Sequence, residues 1–160
     1  MPKGQTQLPE AELVQHTFTL RQMSLPPSVK LTKRSMLRWF CLSFGLISEQ
    51  ESRSTIFDVL DAFFYFQFSK KQDPSSEQLM QYLKQKGNPI SDKLLLYHLK
   101  RLSDLGLIER KKGHYFFCQD PHAEKRDISA SFKHNISNSI SITLADIESV
   151  LEKLAESYRK

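Results

Sequence analysis

Cysteine is scarce: the 160 residues hold two, Cys41 and Cys118, far apart and without a CxxC pair. That spacing offers neither a disulfide framework nor a paired-cysteine zinc site. With no secretory signal legible, a reducing, cytoplasmic setting is expected. Histidine has no pattern either. His16, His98, His114, His122 and His134 show no HxxxH or comparable ligand spacing, so no metal is expected. The chain carries no GxGxxG, no P-loop, no GxSxG and no acidic pair in an apolar setting. Neither an enzyme nor a cofactor is expected. Long apolar runs are missing as well. A membrane span needs about 18 consecutive apolar residues, and the richest stretch, residues 56–68, is broken by Asp58, Asp61 and Gln67. No membrane role is expected.

Acidic residues are absent from one whole block. Residues 21–47 hold Arg21, Lys30, Lys33, Arg34 and Arg38 and no Asp or Glu, a local charge of +5. Residues 73–118 hold eight basic and five acidic groups, +3, while residues 143–160 come to −1. The overall +5 is therefore gathered in two blocks, the distribution of a polyanion binder. A merely solvated basic face is the plain alternative. With 39% apolar residues over this length, one compact domain with extensions is expected.

Residues 73–117 punctuate themselves most clearly. Ser75 with Gln78 three positions on is a capping box, opening a helix through Leu79, Tyr82 and Leu83. Gly87 ends that helix and Pro89 prevents its continuation. Ser91 caps the next one, with Ile90 and Leu95 spaced as a hydrophobic staple. In this second helix Leu95, Leu99 and Leu102 share one face and Leu105 flanks it, up to Gly106. Residues 107–110 and 114–117 then read as strands around Lys111, Lys112 and Gly113, where glycine supplies a positive φ. Two capped helices, a tight turn and a hairpin are the order of a winged helix-turn-helix.

The run YHLKRLSDLGLIERKKGHYFF resembles the recognition helix and wing of winged-helix transcriptional regulators of the ArsR/MarR-like kind. The resemblance covers about residues 73–117 and is more specific for fold than for the individual regulator. It implies a mainly α protein with a small β-hairpin wing (α+β), extended by helices at both ends. The match places Ser91, Asp92, Lys93, Leu94, Leu96, Tyr97, Lys100 and Arg101 on the DNA-reading helix. It places Arg110, Lys111, Lys112 and His114 on the wing. Many such helices carry small polar residues where this one has Leu94 and Leu96. Those two lie about 100° to either side of Leu95. They would pack on neighbouring helices, meet thymine methyls or mark a protein-binding face.

The rest divides into an extended N-terminal arm (1–31), a body (32–118) and a C-terminal extension (119–160). Residues 1–13 read as a flexible tail and residues 14–23 as a short strand with Phe18 and Leu20 on one side. Thr32 caps a helix with Leu31 and Met36 as its staple; Met36, Leu37, Phe40, Cys41 and Phe44 form its apolar face. Lys33 and Arg34 sit in its first turn, where the macrodipole disfavours cations. With Lys30 they suit a DNA phosphate. Ser48 and Glu51 form a further capping box, predicting a helix to residue 69 with two apolar stripes. Residues 128–142 fit a helix or a strand. A new helix is expected at Thr143, capped with Asp146. Its stripe of Ile147, Val150 or Leu151, Leu154 and Tyr158 suits a dimer contact, or packing on its own domain.

Two functions follow as expectations. The first is a sequence-specific double-stranded DNA-binding regulator, acting as a homodimer. The second is a winged helix that binds a protein partner in a transcription or replication assembly, for which a contiguous exposed apolar patch above about 400 Å² would speak. RNA binding is weaker, as no aromatic stacking platform is evident.

Overall fold

The computed structural model describes residues 7–51 and 54–159. It is mainly helical with one small two-stranded antiparallel hairpin, an α+β arrangement. Helix α1 spans Lys33–Ser43, α2 Thr55–Phe64, α3 Ser76–Gln85 and α4 Asp92–Asp104. Strands β1 (Ile108–Lys111) and β2 (His114–Phe117) follow, then α5 (Ile128–Phe132) and α6 (Asn138–Tyr158). Two helical runs contain a wider π turn: Tyr65–Ser69 continues α2, and Lys133–Ser137 joins α5 to α6. No helix among the described residues is long and apolar enough to cross a membrane.

The joints of residues 73–117 form through contacts local to the chain. Both legs of the Ser75 capping box are present: Gln78 N–H donates to Ser75 Oγ (3.2 Å) and Ser75 N–H to Gln78 Oε1 (2.8 Å). Leu94 N–H donates to Ser91 Oγ (3.1 Å), opening α4. Lys112 (φ +53°) and Gly113 (φ +79°) are both left-handed, as a two-residue hairpin turn requires, and Lys111 pairs with His114 across it. The outer edge of β2 is not left bare. Tyr115 N–H donates to Pro74 O (2.8 Å), and Ser75 bridges to His114. The hairpin is thereby fastened to the start of α3.

One core joins these parts. Leu79 and Leu83 of α3 and Leu95, Leu99 and Leu102 of α4 pack with Ile56, Phe57, Leu60 and Phe63 of α2 and with Ile108 and Phe117 of the hairpin. Helix α1 packs on α2, which accounts for that helix being apolar on more than one side. Burying one of these aromatic or leucine side chains contributes about 1.5–3 kcal/mol.

Four expectations are corrected. Residues 14–23 form no strand. They run extended beside the end of α1, where Arg21 N–H donates to Ser43 O (2.8 Å), and no sheet edge lies there to pair with them. The helix predicted from Ser48 starts at Thr55 with Ser54 as its cap. Glu51 does reach back to Ser48 N–H (3.2 Å), but the contact closes a local turn. Leu31 is 79% exposed and Met36 42% exposed, so they do not staple the start of α1. Residues 128–142 are helical, and α6 begins at Asn138 and not at Thr143. Thr143 Oγ1 donates to Ser139 O one turn back (2.8 Å), an arrangement a continuous helix accommodates. In the tail, residues 9–13 form a short 3₁₀ turn, while residues 1–6 lie outside those described.

Candidate functional site

Helix α4 divides by its periodicity. Leu95, His98, Leu99 and Leu102 are buried; Asp92, Lys93, Leu96, Tyr97, Lys100 and Asp104 are exposed, and Leu94 is half-buried. Leu96 is 52% and Tyr97 59% exposed, so the outer face mixes two lysines with two large apolar side chains. Ser91 is spent as the N-cap. At the hairpin tip Lys111 and Lys112 are exposed. Arg110 is also exposed, its guanidinium lying 5.8 Å from the centre of the Tyr115 ring. His114 is less free than its place on the wing implied: Nδ1 lies 2.9 Å from Asp73 O, in the seam that fastens the hairpin.

Arg101 is the main departure from the expected site. Its guanidinium turns from the outer face and donates to Leu46 O (2.6 Å) and Gly45 O (3.1 Å). These carbonyls follow α1, where cationic donors suit both the unpaired groups and the helix dipole. Arg101 therefore braces α4 against α1 and is not a free base-reading side chain. Gly45 suits this joint because its φ is +68° and a Cβ there would lie 2.6 Å from Thr19 Cβ. The arm passes that close. Further along, Gln15, His16 and Thr17 share a shallow recess with Tyr97, Lys100 and Asp104, so the arm runs beside the C-terminal half of α4. No local sequence signal links these two segments.

The upstream cations are unequal. Lys30 and Lys33 are exposed. Arg34 pairs with Asp58 (3.4 Å) and lies 5.2 Å from the centre of the Phe57 ring, so it is partly committed to holding α1 on α2. The candidate dimer residues Ile147, Leu151, Leu154 and Tyr158 are all exposed, and no residue of α6 is buried, although Ile140 near its start packs partly on the core.

His98 sits directly beneath this face. It is 6% exposed, its Nε2 shares a 2.7 Å hydrogen bond with Thr55 Oγ1, and its buried Nδ1 has no partner among the described residues. Burial, then the neighbouring Arg101 charge, holds its pKa below the ordinary histidine value of 6.5. Protonation is thus easier in the unfolded chain. Stability is complete above pH 6.5 and falls as pH drops from there towards the folded-state pKa. Urea unfolding from pH 7.5 down to about 5 will show wild type losing stability faster than His98→Gln, by up to about 1.4 kcal/mol per pH unit. Equal slopes would remove His98 as the cause. Burial also pushes the Cys41 and Cys118 thiols up to about 12, keeping both protonated and unreactive. Among the described residues no cluster of three or more His, Cys, Asp or Glu side chains is placed to hold a metal.

Gln67 was legible only as an interruption of an apolar run. It is 1% exposed and fully used: Nε2 donates to Gln72 O (2.7 Å) and Asp73 Oδ1 (2.8 Å), and Oε1 accepts from Phe117 N–H (3.0 Å). One side chain thus ties the end of α2, the lead into α3 and strand β2. No protein family, curated protein or solved structure matches the chain, so the functional reading rests on these residues alone.

Proposed function

We propose that this chain is a winged-helix regulator that binds double-stranded DNA sequence-specifically. In this reading α4 enters the major groove and the hairpin tip lies on the phosphate backbone. Two copies pair through α6, matching the protein's symmetry to a two-fold operator. The observation that carries it is the exposed outer face of α4, with Lys93, Tyr97 and Lys100, flanked by the arm at its C-terminal half and next to a hairpin tip with Lys111 and Lys112 exposed. Lys30 and Lys33 are candidates for added backbone contacts. Arg101 is left out of the reading set.

Selection from a random duplex library, followed by anisotropy titrations across salt, tests the proposal. The double variant Lys93→Ala/Lys100→Ala is expected to weaken the selected site by about 1–3 kcal/mol per lost base contact. Lys111→Ala/Lys112→Ala is expected to weaken all duplexes alike and flatten the salt slope by roughly one unit per phosphate contact. Affinity without salt dependence would end this reading. The protein-partner reading draws on half-exposed Leu96 beside Tyr97. It takes over if no duplex is enriched at low salt.

A further inference from the structure

A groove of about 670 Å³ opens beside the root of α6. Leu20 of the arm, Trp39 of α1, Phe44 just after it, Phe64 at the end of α2, and Phe132 and Ile136 form its walls. Its lining is almost wholly apolar, and in the single chain it stands open to water. Its nearest charges are basic. Arg21 lies on its rim, donating to Leu42 O (2.7 Å) and Ile47 O (2.8 Å) and pairing with Glu49 (4.0 Å), and Lys33 is exposed two turns along the α1 face that carries Phe40. Helix α1 as a whole has Lys33, Arg34 and Arg38 and no acid.

The same chain carries the complementary surface. Leu144, Ile147, Val150, Leu151, Leu154 and Tyr158 recur at helical spacing along α6 and are 49–85% exposed. Together they leave on the order of 600 Å² of apolar surface bare, a large part of the ~800 Å² each partner contributes to a standard interface. Asp146, Glu148, Glu152 and Glu156 stand against the single Lys153 within α6, so the helix is acidic by three charges. Its own groove is out of reach. The groove walls Ile128, Phe132 and Ile136 belong to the unbroken helical run that continues into α6, so folding back would break that run.

From this pairing we infer that two copies associate reciprocally, each seating its α6 in the groove between α1 and α5 of the other. The inference rests on the homodimer proposed above and specifies its geometry. A two-fold axis buries both stripes and fills both grooves at once, with α6 bound as an amphipathic helix in an apolar groove. Charge decides against the alternative in which α6 pairs with α6. That arrangement apposes two helices of like net charge, whereas α6 against α1, which holds no acid and exposes Lys33 on the groove side, meets no such repulsion.

Trp39, the one tryptophan of the chain, is a groove wall and reports its filling. The full chain is followed by sedimentation and by Trp39 emission from about 0.1 to 100 µM, a range spanning common dimer affinities. The expected result is that mass doubles and Trp39 emission shifts to the blue over one concentration range, and that added salt weakens both by screening. Leu151→Ala/Leu154→Ala, at positions exposed in the single chain, will raise the dimer Kd at least about tenfold in both readouts. Mass that doubles with Trp39 unmoved, and more tightly in salt, would overturn the proposal in favour of α6–α6 pairing while leaving the homodimer intact. Monomer mass with Trp39 emission already blue at every concentration would overturn it in favour of filling from within one chain. A monomer with unmoved Trp39 throughout removes the homodimer itself.

Discussion

Gln67→Leu is expected to lower the unfolding free energy by about 2–4 kcal/mol. The substitution preserves volume and adds apolar character at a site that is 1% exposed, so burial alone would favour it. Polar groups decide the sign. Leucine leaves Phe117 N–H and Gln72 O without the partner they have now and takes one of two donors from Asp73 Oδ1, which keeps Arg126 (3.5 Å). Each buried group left unmatched costs about 1–3 kcal/mol, and water reaches only the more exposed of them. Urea titration gives the total. Amide exchange at Phe117 gives the location, because β2 loses a strap to the end of α2. A change below about 0.5 kcal/mol, the usual range of surface substitutions, would mean that Gln67 is a spectator. On the DNA reading proposed above, hairpin position sets where Lys111 and Lys112 meet the duplex. A loosened hairpin should therefore also reduce the contribution of these lysines to DNA affinity.

Arg101→Ala will cost about 2–3 kcal/mol of stability, while DNA affinity measured well below the unfolding transition changes less than for Lys100→Ala. Two charge-assisted bonds to Leu46 O and Gly45 O are lost across the α1–α4 contact. Arg101→Lys keeps the charge but cannot span both carbonyls with a planar fork, so it recovers only part of the loss. A stable Arg101→Ala protein with strongly reduced affinity for every duplex would return Arg101 to the DNA-facing set.

Legibility followed the range of the contacts. Ser75–Gln78, Ser91–Leu94 and the Lys112-Gly113 turn join groups within three residues, and the structure has all of them. Ser48–Glu51 and Thr143–Asp146 carry the same short-range pattern, yet neither starts a helix. The first pattern closes a lone turn. The second lies inside a helix that had begun upstream. A capping pattern thus says that a local bond can form, and the packing of the following residues decides what that bond begins. The strand expected at residues 14–23 failed for a related reason, since alternation describes one strand and pairing needs a second.

The sequence by itself determined the α3–turn–α4–hairpin order, the buried side of α4 and the apolar stripe of α6, because periodicity and caps are properties of neighbouring residues. Tertiary structure alone decided which polar side chains are free to act. Arg101 reaches a carbonyl 55 positions away and Gln67 an amide 50 positions away. No spacing rule foretells which backbone group will lie within 3 Å of a guanidinium or an amide once the chain has folded. The open groove at the root of α6 is of the same kind. It exists only where the arm, α1, α5 and the hairpin meet, and it is the counterpart we infer for the stripe that the sequence had already displayed.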